Sequence, residues 1–210
     1  MTSFPTAVVQ PIPPVTGEVV ALWHMDETEG TTMFDATGRD HHGTLRSGVR
    51  LGQPGFAGLA YALSGSADVS VPNAPDLQPG SADITITIAI KTTRTPSSGD
   101  WSLIRNGIFG TPGGSHKMEF YPSGQASCGF NGSSGYSELT AGPVLNDGVW
   151  HTVQCVKTST SIEMVVDGQV FLQRATIGTI ANAEVVSIGA RPDGGEYFQG
   201  SIDEASIRIG

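Results

Sequence analysis

Gly148-Val149-Trp150-His151-Thr152-Val153, followed by Val165-Val166-Asp167-Gly168-Gln169 and then by Phe198-Gln199-Gly200-Ser201-Ile202-Asp203-Glu204, decides the fold class of this chain. Trp150 closes a loop and opens an alternating run, so an aromatic that buries ~150–250 Å² enters the core with a strand. Asp167-Gly168 separates the β-rich runs 161–166 and 169–173, and an Asp-Gly pair in that setting marks a hairpin. Outward from these pieces, period-two alternation recurs and helical periodicity nowhere persists. Strands are predicted over 18–25, 43–45, 60–63, 68–71, 84–93, 101–106, 117–121, 125–131, 149–157, 161–166, 169–173, 185–189 and 200–208, with turn clusters such as 96–99, 111–114 and 131–135 between them. Many short strands and frequent turns give an all-β chain of two antiparallel sheets face to face.

Twenty-eight glycines and thirteen prolines supply the turns, and 210 residues suit one β-sandwich domain, read here as 18–210. Residues 1–17 lack the basic start and apolar core of a signal peptide and read as a proline-rich linker or extended arm. Hydrophobic residues make up 38% of the chain and charged ones 15%, enough apolar side chain for a core. The formal charge of −9, with eleven scattered basic residues, argues against nucleic acid. No run approaches the ~20 apolar residues of a membrane span, and an acidic surface repels anionic lipid. Neutral partners are favoured, such as uncharged glycans, and so is calcium.

Upstream stand Leu22-Trp23-His24-Met25-Asp26-Glu27, Gly30-Thr31-Thr32, Asp35-Ala36-Thr37-Gly38 and Gly43-Thr44-Leu45. In this order and spacing, over about 18–209, these motifs and the three quoted first resemble the laminin-G-like, concanavalin A-like lectin/glucanase superfamily, particularly its bacterial LamG-type jelly-roll domains. One departure concerns the subfamily: where a Trp is usual, this chain has Ile84-Thr85-Ile86-Thr87-Ile88-Ala89-Ile90, whose β-branched residues serve the same buried strand. The resemblance implies a two-sheet antiparallel jelly-roll sandwich with the last strand beside the first. That topology brings Asp26 toward Asp203, and the family's habit of holding an ion on the sandwich edge then implies a structural Ca²⁺ at these two carboxylates. Either residue read alone is a solvated turn carboxylate.

Cys128 and Cys155 lie in consecutive predicted strands, which leaves a cross-strand disulfide and two buried thiols both open. In the glucanase branch a Glu-x-Asp-x-x-Glu strand carries the catalytic carboxylates, and nothing here matches it: Glu119 and Glu138 read as isolated, and Asp203 and Glu204 point to opposite faces. His41-His42 beside Asp40 reads as a solvated pair, and His151 as a structural hydrogen-bonding residue. Sugar binding needs an aromatic platform beside planar polar groups. The loop candidates are Trp101, Arg105, Asn131, Tyr136, Arg191 and Tyr197, with Trp23 and Trp150 assigned to the core.

The reading is a non-catalytic, extracellular, lectin-like carbohydrate-binding module of a secreted bacterial protein, a monomer or part of a larger multidomain chain. Two alternatives stand beside it. One is a glycoside hydrolase or polysaccharide lyase using Arg105, His116, Glu119 and Tyr121, and the other is a structural or protein-binding domain.

Overall fold

The computed structural model of the protein describes residues 17–210, so the predicted linker or arm lies outside it except for Gly17. Sixteen strands follow in order: β1 (Glu18–Trp23), β2 (Thr32–Met33), β3 (Gly43–Leu45), β4 (Val49–Pro54), β5 (Leu59–Ser64), β6 (Val69–Val71), β7 (Ile84–Lys91) and β8 (Trp101–Asn106). The second half holds β9 (Ser115–Phe120), β10 (Ala126–Gly132), β11 (Gly135–Thr140), β12 (His151–Lys157), β13 (Ser161–Val166), β14 (Gln169–Arg174), β15 (Val186–Ile188) and β16 (Gln199–Ile209). Strand makes up 49% and helix 2%, the latter a single turn at Pro75–Leu77.

Sheet one runs β14-β13-β12-β7-β16-β5-β4, and sheet two runs β11-β10-β9-β8-β15-β6-β3-β2. Both are antiparallel and form a jelly-roll sandwich. β16 binds β7 along one side; on the other its first half pairs with β5 and its second half with β1, Trp23 opposite Ala205. The first and last strands therefore meet, as the resemblance implies. Asp167 and Gly168 both adopt left-handed backbone, φ 49° and 82°, and close the β13–β14 hairpin as an Asp-Gly pair should.

Alternate residues of both sheets meet in one core. From sheet one come Trp23, Ile84, Ile86, Ile88, Ile90, Val153, Met164 and Ile207, and from sheet two Ile104, Met118, Phe120, Phe130 and Ile188. Cys128 and Cys155 form a disulfide within this core, Cα–Cα 5.5 Å. It joins β10 to β12, hence sheet to sheet, because β11 takes the place beside β10 that a cross-strand bond would need. Trp150 departs from its core assignment. The inward side chains of β12 are His151 and Val153, so the residue before them faces outward, where half-buried Trp150 meets Phe56 edge to face at 6.3 Å. His151 does serve structure, bridging Asp167 (2.6 Å) and Asp147 (3.0 Å).

His116 also points into the core rather than toward the outer polar face. Its ring is fully buried, neither ring nitrogen has a partner, and it lies near Phe130. Burial first, then the Arg105 charge, lowers its pKa to about 4. The unfolded chain thus takes up a proton, near pH ~6.5, that the folded chain refuses until about pH 4. The His116 contribution is present above that window and is lost as pH drops through it, by ~3 kcal/mol. The difference between wild type and His116→Phe in urea titrations over that range isolates it, because Asp100, raised to about 7, titrates there in the opposite sense.

Candidate functional site

Period-two geometry puts Ser102, Arg105, Lys117, Glu119, Ser127, Gly129 and Glu138 on the outer face of sheet two, opposite the core-facing Ile104, Met118, Phe120 and Cys128. Arg105 and Lys117 stand opposite each other, and both reach Glu119. Glu119 receives Lys117 Nζ at 2.6 Å and lies 3.4 Å from Arg105 Nη1; Lys117 Nζ also reaches Glu138 at 3.4 Å. Gly129 makes this span possible, since a Cβ there would stand 2.6 Å from Lys117 Cε. From the β15–β16 loop, Glu196 continues the series, taking Arg105 at 2.7 Å on one oxygen and Arg191 at 3.1 Å on the other, while Asp193 chelates Arg191. Tyr121 donates to Glu138 at 2.6 Å and lies 3.4 Å from Glu119; Tyr136 and Ser127 donate to Glu138 as well.

Burial sets the protonation of this network. Glu119, only 2% exposed, is raised by desolvation against the pull of Lys117 and Arg105. Glu138 is lowered: desolvation opposes its charge, but the hydroxyls of Tyr121, Tyr136 and Ser127 and the Lys117 charge prevail. Lys117 stands at about 12, because Glu119 and Glu138 outweigh its burial. Asp100 is raised to about 7 by burial first and then by the charges of Glu119 and Glu196, with which its oxygens lie within 4.8 Å. Arg105 Nη1 bridges two of these three carboxylates, so the cluster is a compensated charge network rather than an open cation cage.

Aromatic rings and two hollows flank the network. Phe109 and Tyr136, 77% and 44% exposed, meet edge to face at 5.8 Å, and Lys117 Nζ sits 5.9 Å from the Tyr136 ring. A cleft of about 570 Å³ opens beside Phe109, walled by Arg46, Ser70, Thr111, Glu184 and Asp193. A smaller hollow of about 320 Å³ lies between Asp100, Trp101, Glu196 and Tyr197.

Of the residues taken as loop candidates, Trp101 and Arg105 sit in β8, Asn131 in β10 and Tyr136 in β11; Arg191 and Tyr197 are in a loop. Arg105, Arg191 and Tyr136 join the charge network. Trp101 stacks on Phe120 inside the core and shows an edge to the small hollow it shares with Tyr197. Asn131 pairs with Tyr136 across β10–β11 but lines a separate depression with Thr111 and Gly114. Glu119 and Glu138 are not isolated, since Lys117 and Tyr121 link them. The Lys117-x-Glu119-x-Tyr121 alternation already signals one shared face; Glu138 and Glu196 carry no such signal.

Asp26 and Asp203 converge on the β4–β5 turn. Asp203 Oδ2 accepts the amides of Phe56 (2.7 Å) and Ala57 (3.0 Å), and Asp26 Oδ1 accepts that of Leu59 (2.6 Å). Asp203 is fully buried and its pKa raised by desolvation, despite those amides. Glu204, left-handed at φ 49°, lies in a β16 bulge and pairs with His24 at 2.8 Å.

A family model described as the concanavalin A-like lectin/glucanases superfamily matches residues 63–208. No curated protein matches the chain by sequence. Among solved structures, domain 4 of AbnA, a GH43 extracellular arabinanase from Geobacillus stearothermophilus in complex with arabinotriose, superposes with a TM-score of 0.66 at 16% identity, covering 92% of this chain and 93% of that one. The binding domain of botulinum neurotoxin DC superposes in complex with SialylT (TM-score 0.66, 10% identity, 90% of this chain and 47% of that one). The same domain in complex with rat synaptotagmin II gives 0.67, 10%, 90% and 48%. This chain spans about half the length of those toxin domains. At such identities the likeness is one of fold.

Proposed function

Since the chain belongs to the concanavalin A-like lectin/glucanase superfamily, we propose that it is a non-catalytic carbohydrate-binding module whose site is the outer face of sheet two. The observation that carries this reading is the polar network beside an exposed aromatic pair and a cleft, Phe109 and Tyr136 flanking Lys117, Glu138 and Arg105. Pyranose or furanose C–H faces pack on such rings while hydroxyls bond the planar polar groups. Arabinotriose on the domain of the arabinanase and SialylT on the toxin domain support a saccharide partner, and synaptotagmin on the toxin domain keeps a protein partner as the competitor. An extracellular setting is supported by the disulfide. Titration of an oligosaccharide panel tests the reading: Phe109→Ala/Tyr136→Ala should weaken the best ligand about tenfold, the ~1.4 kcal/mol expected of two lost ring contacts. No binding across the panel removes the proposal.

Hydrolysis is the second reading, favoured by one observation. Glu119 and Glu138 are driven in opposite pKa directions, the pattern of an acid and its ionised partner. Binding is preferred because Glu119 is sealed beneath Arg105 and Lys117, out of reach of a glycosidic oxygen. New reducing ends that vanish in Glu119→Gln would reverse this preference.

A structural Ca²⁺ held by Asp26 and Asp203 is a separate proposal, supported by two hard-oxygen carboxylates converging on one turn. The ion would supply charge neutralisation and a cross-link. Chelation should then lower the melting temperature, by the equivalent of ~2.7 kcal/mol if free Ca²⁺ stood a hundredfold above Kd. Asp203→Ala should abolish the response; an unchanged curve after exhaustive dialysis against EDTA assigns the turn to its amide hydrogen bonds alone.

A further inference from the structure

Among the described residues, the cations of the outer-face network are all paired with carboxylates. Arg105 is held by Glu119 and Glu196, Lys117 by Glu119 and Glu138, and Arg191 by Asp193 and Glu196. The network, with Asp100 counted, thus sets five carboxylates against three cations, and at the cleft wall Arg46 is paired with Asp68 at 3.4 Å. Acidic sugars are recognised by guanidinium groups that can turn two N–H donors toward a carboxylate or sulfate. Here each of these cations already lies against the chain's own acids, so an anionic sugar would displace one of them or meet them as like charges. Sugar hydroxyls need no such exchange, because they donate to carboxylate oxygens that keep free lone pairs.

Glu196 stands at the centre of this arrangement, the only residue of the network that engages both arginines. Its backbone is left-handed, φ 49°, a conformation that a non-glycine residue adopts at a cost. Ser102 secures it twice, donating its amide to the Glu196 carbonyl (2.8 Å) and its hydroxyl to the carboxylate (3.0 Å). The strained residue is thereby turned so that its carboxylate lies between Arg105 and Arg191.

We propose that this face selects uncharged saccharides against uronate, sialylated or sulfated ones, and that Glu196 is the residue that enforces the choice. The proposal rests on the carbohydrate reading of the same face. Calorimetric titration of matched pairs tests it, lactose against 3′-sialyllactose and arabinotriose against tri-galacturonate. The wild type should bind the neutral member of the pair it recognises at least about tenfold tighter. Glu196→Gln, which removes the negative charge between the arginines and leaves one acceptor oxygen where two stood, should raise affinity for the acidic member about tenfold while leaving the neutral one nearly unchanged. Asp193→Asn, at an exposed position, should give a smaller gain in the same direction, and it keeps the test open if Glu196→Gln does not fold. Equal or tighter binding of the acidic member by the wild type would overturn the selectivity and leave the carbohydrate reading standing. Folded variants that gain nothing would overturn the role of Glu196. If no member of either pair binds, the proposal falls with that reading.

Discussion

Loss of the Cys128–Cys155 disulfide should lower the free energy of unfolding by about 3–4 kcal/mol. The bridge closes a loop of 27 residues, and the chain-entropy relation assigns that much to the freedom regained by the unfolded chain. Its position adds a second reason to expect a large effect. The bridge cross-links the middle of the two sheets, which are otherwise joined by the chain's own crossovers and by side-chain packing, and both cysteines lie in the core. Urea unfolding of the wild type, of the same protein reduced under denaturing conditions and refolded with reductant, and of Cys128→Ser/Cys155→Ser measures it. The two altered forms should agree with each other. A shift below ~1 kcal/mol would mean that packing alone fixes the sheets.

Arg105→Met should cost about 3–5 kcal/mol, the range for removing one partner of a buried charge pair. Arg105 is 5% exposed and compensates Glu119, which is 2% exposed. Without the guanidinium, Glu119 keeps Lys117 and the long Tyr121 contact, and Ser102 and Gly107 lose donors. The loss arises from an orphaned carboxylate more than from missing packing, since Met fills much the same volume. Arg105→Met/Glu119→Gln should therefore recover a large part of it, measured again by urea unfolding. A double variant no more stable than the single one would show that the network contributes packing and not charge balance.

Much of the fold was legible because its signals are local. The Asp167-Gly168 hairpin, the Ile84–Ile90 run and the meeting of first and last strands each follow from a few neighbouring residues or from motif order. β2, β4 and β11 were not. β2 is only two residues long, β4 carries Gly52 and Pro54 at a sheet edge, and β11 begins at Gly135, because the predicted turn cluster contracts to a two-residue turn at Ser133-Ser134. Without β11 in view, Glu138 reads as isolated from Lys117, and β10 and β12 look like neighbours, so a disulfide between their cysteines reads as cross-strand if it forms. Trp150 reads as core by size alone; its face follows from pairing with β7, which places His151 inward. A charge network assembled from three strands and a loop has no linear signature. Only Lys117, Glu119 and Tyr121, spaced by two, announced a shared face.

The central claim is that the outer face of sheet two receives the saccharide. Amide chemical-shift mapping with the tightest-binding neutral oligosaccharide tests it most directly. The account predicts perturbations confined to 107–111, 117–121, 136–138 and 191–197; perturbations centred instead on the β4–β5 turn and Trp150, across the sandwich on sheet one, would contradict it.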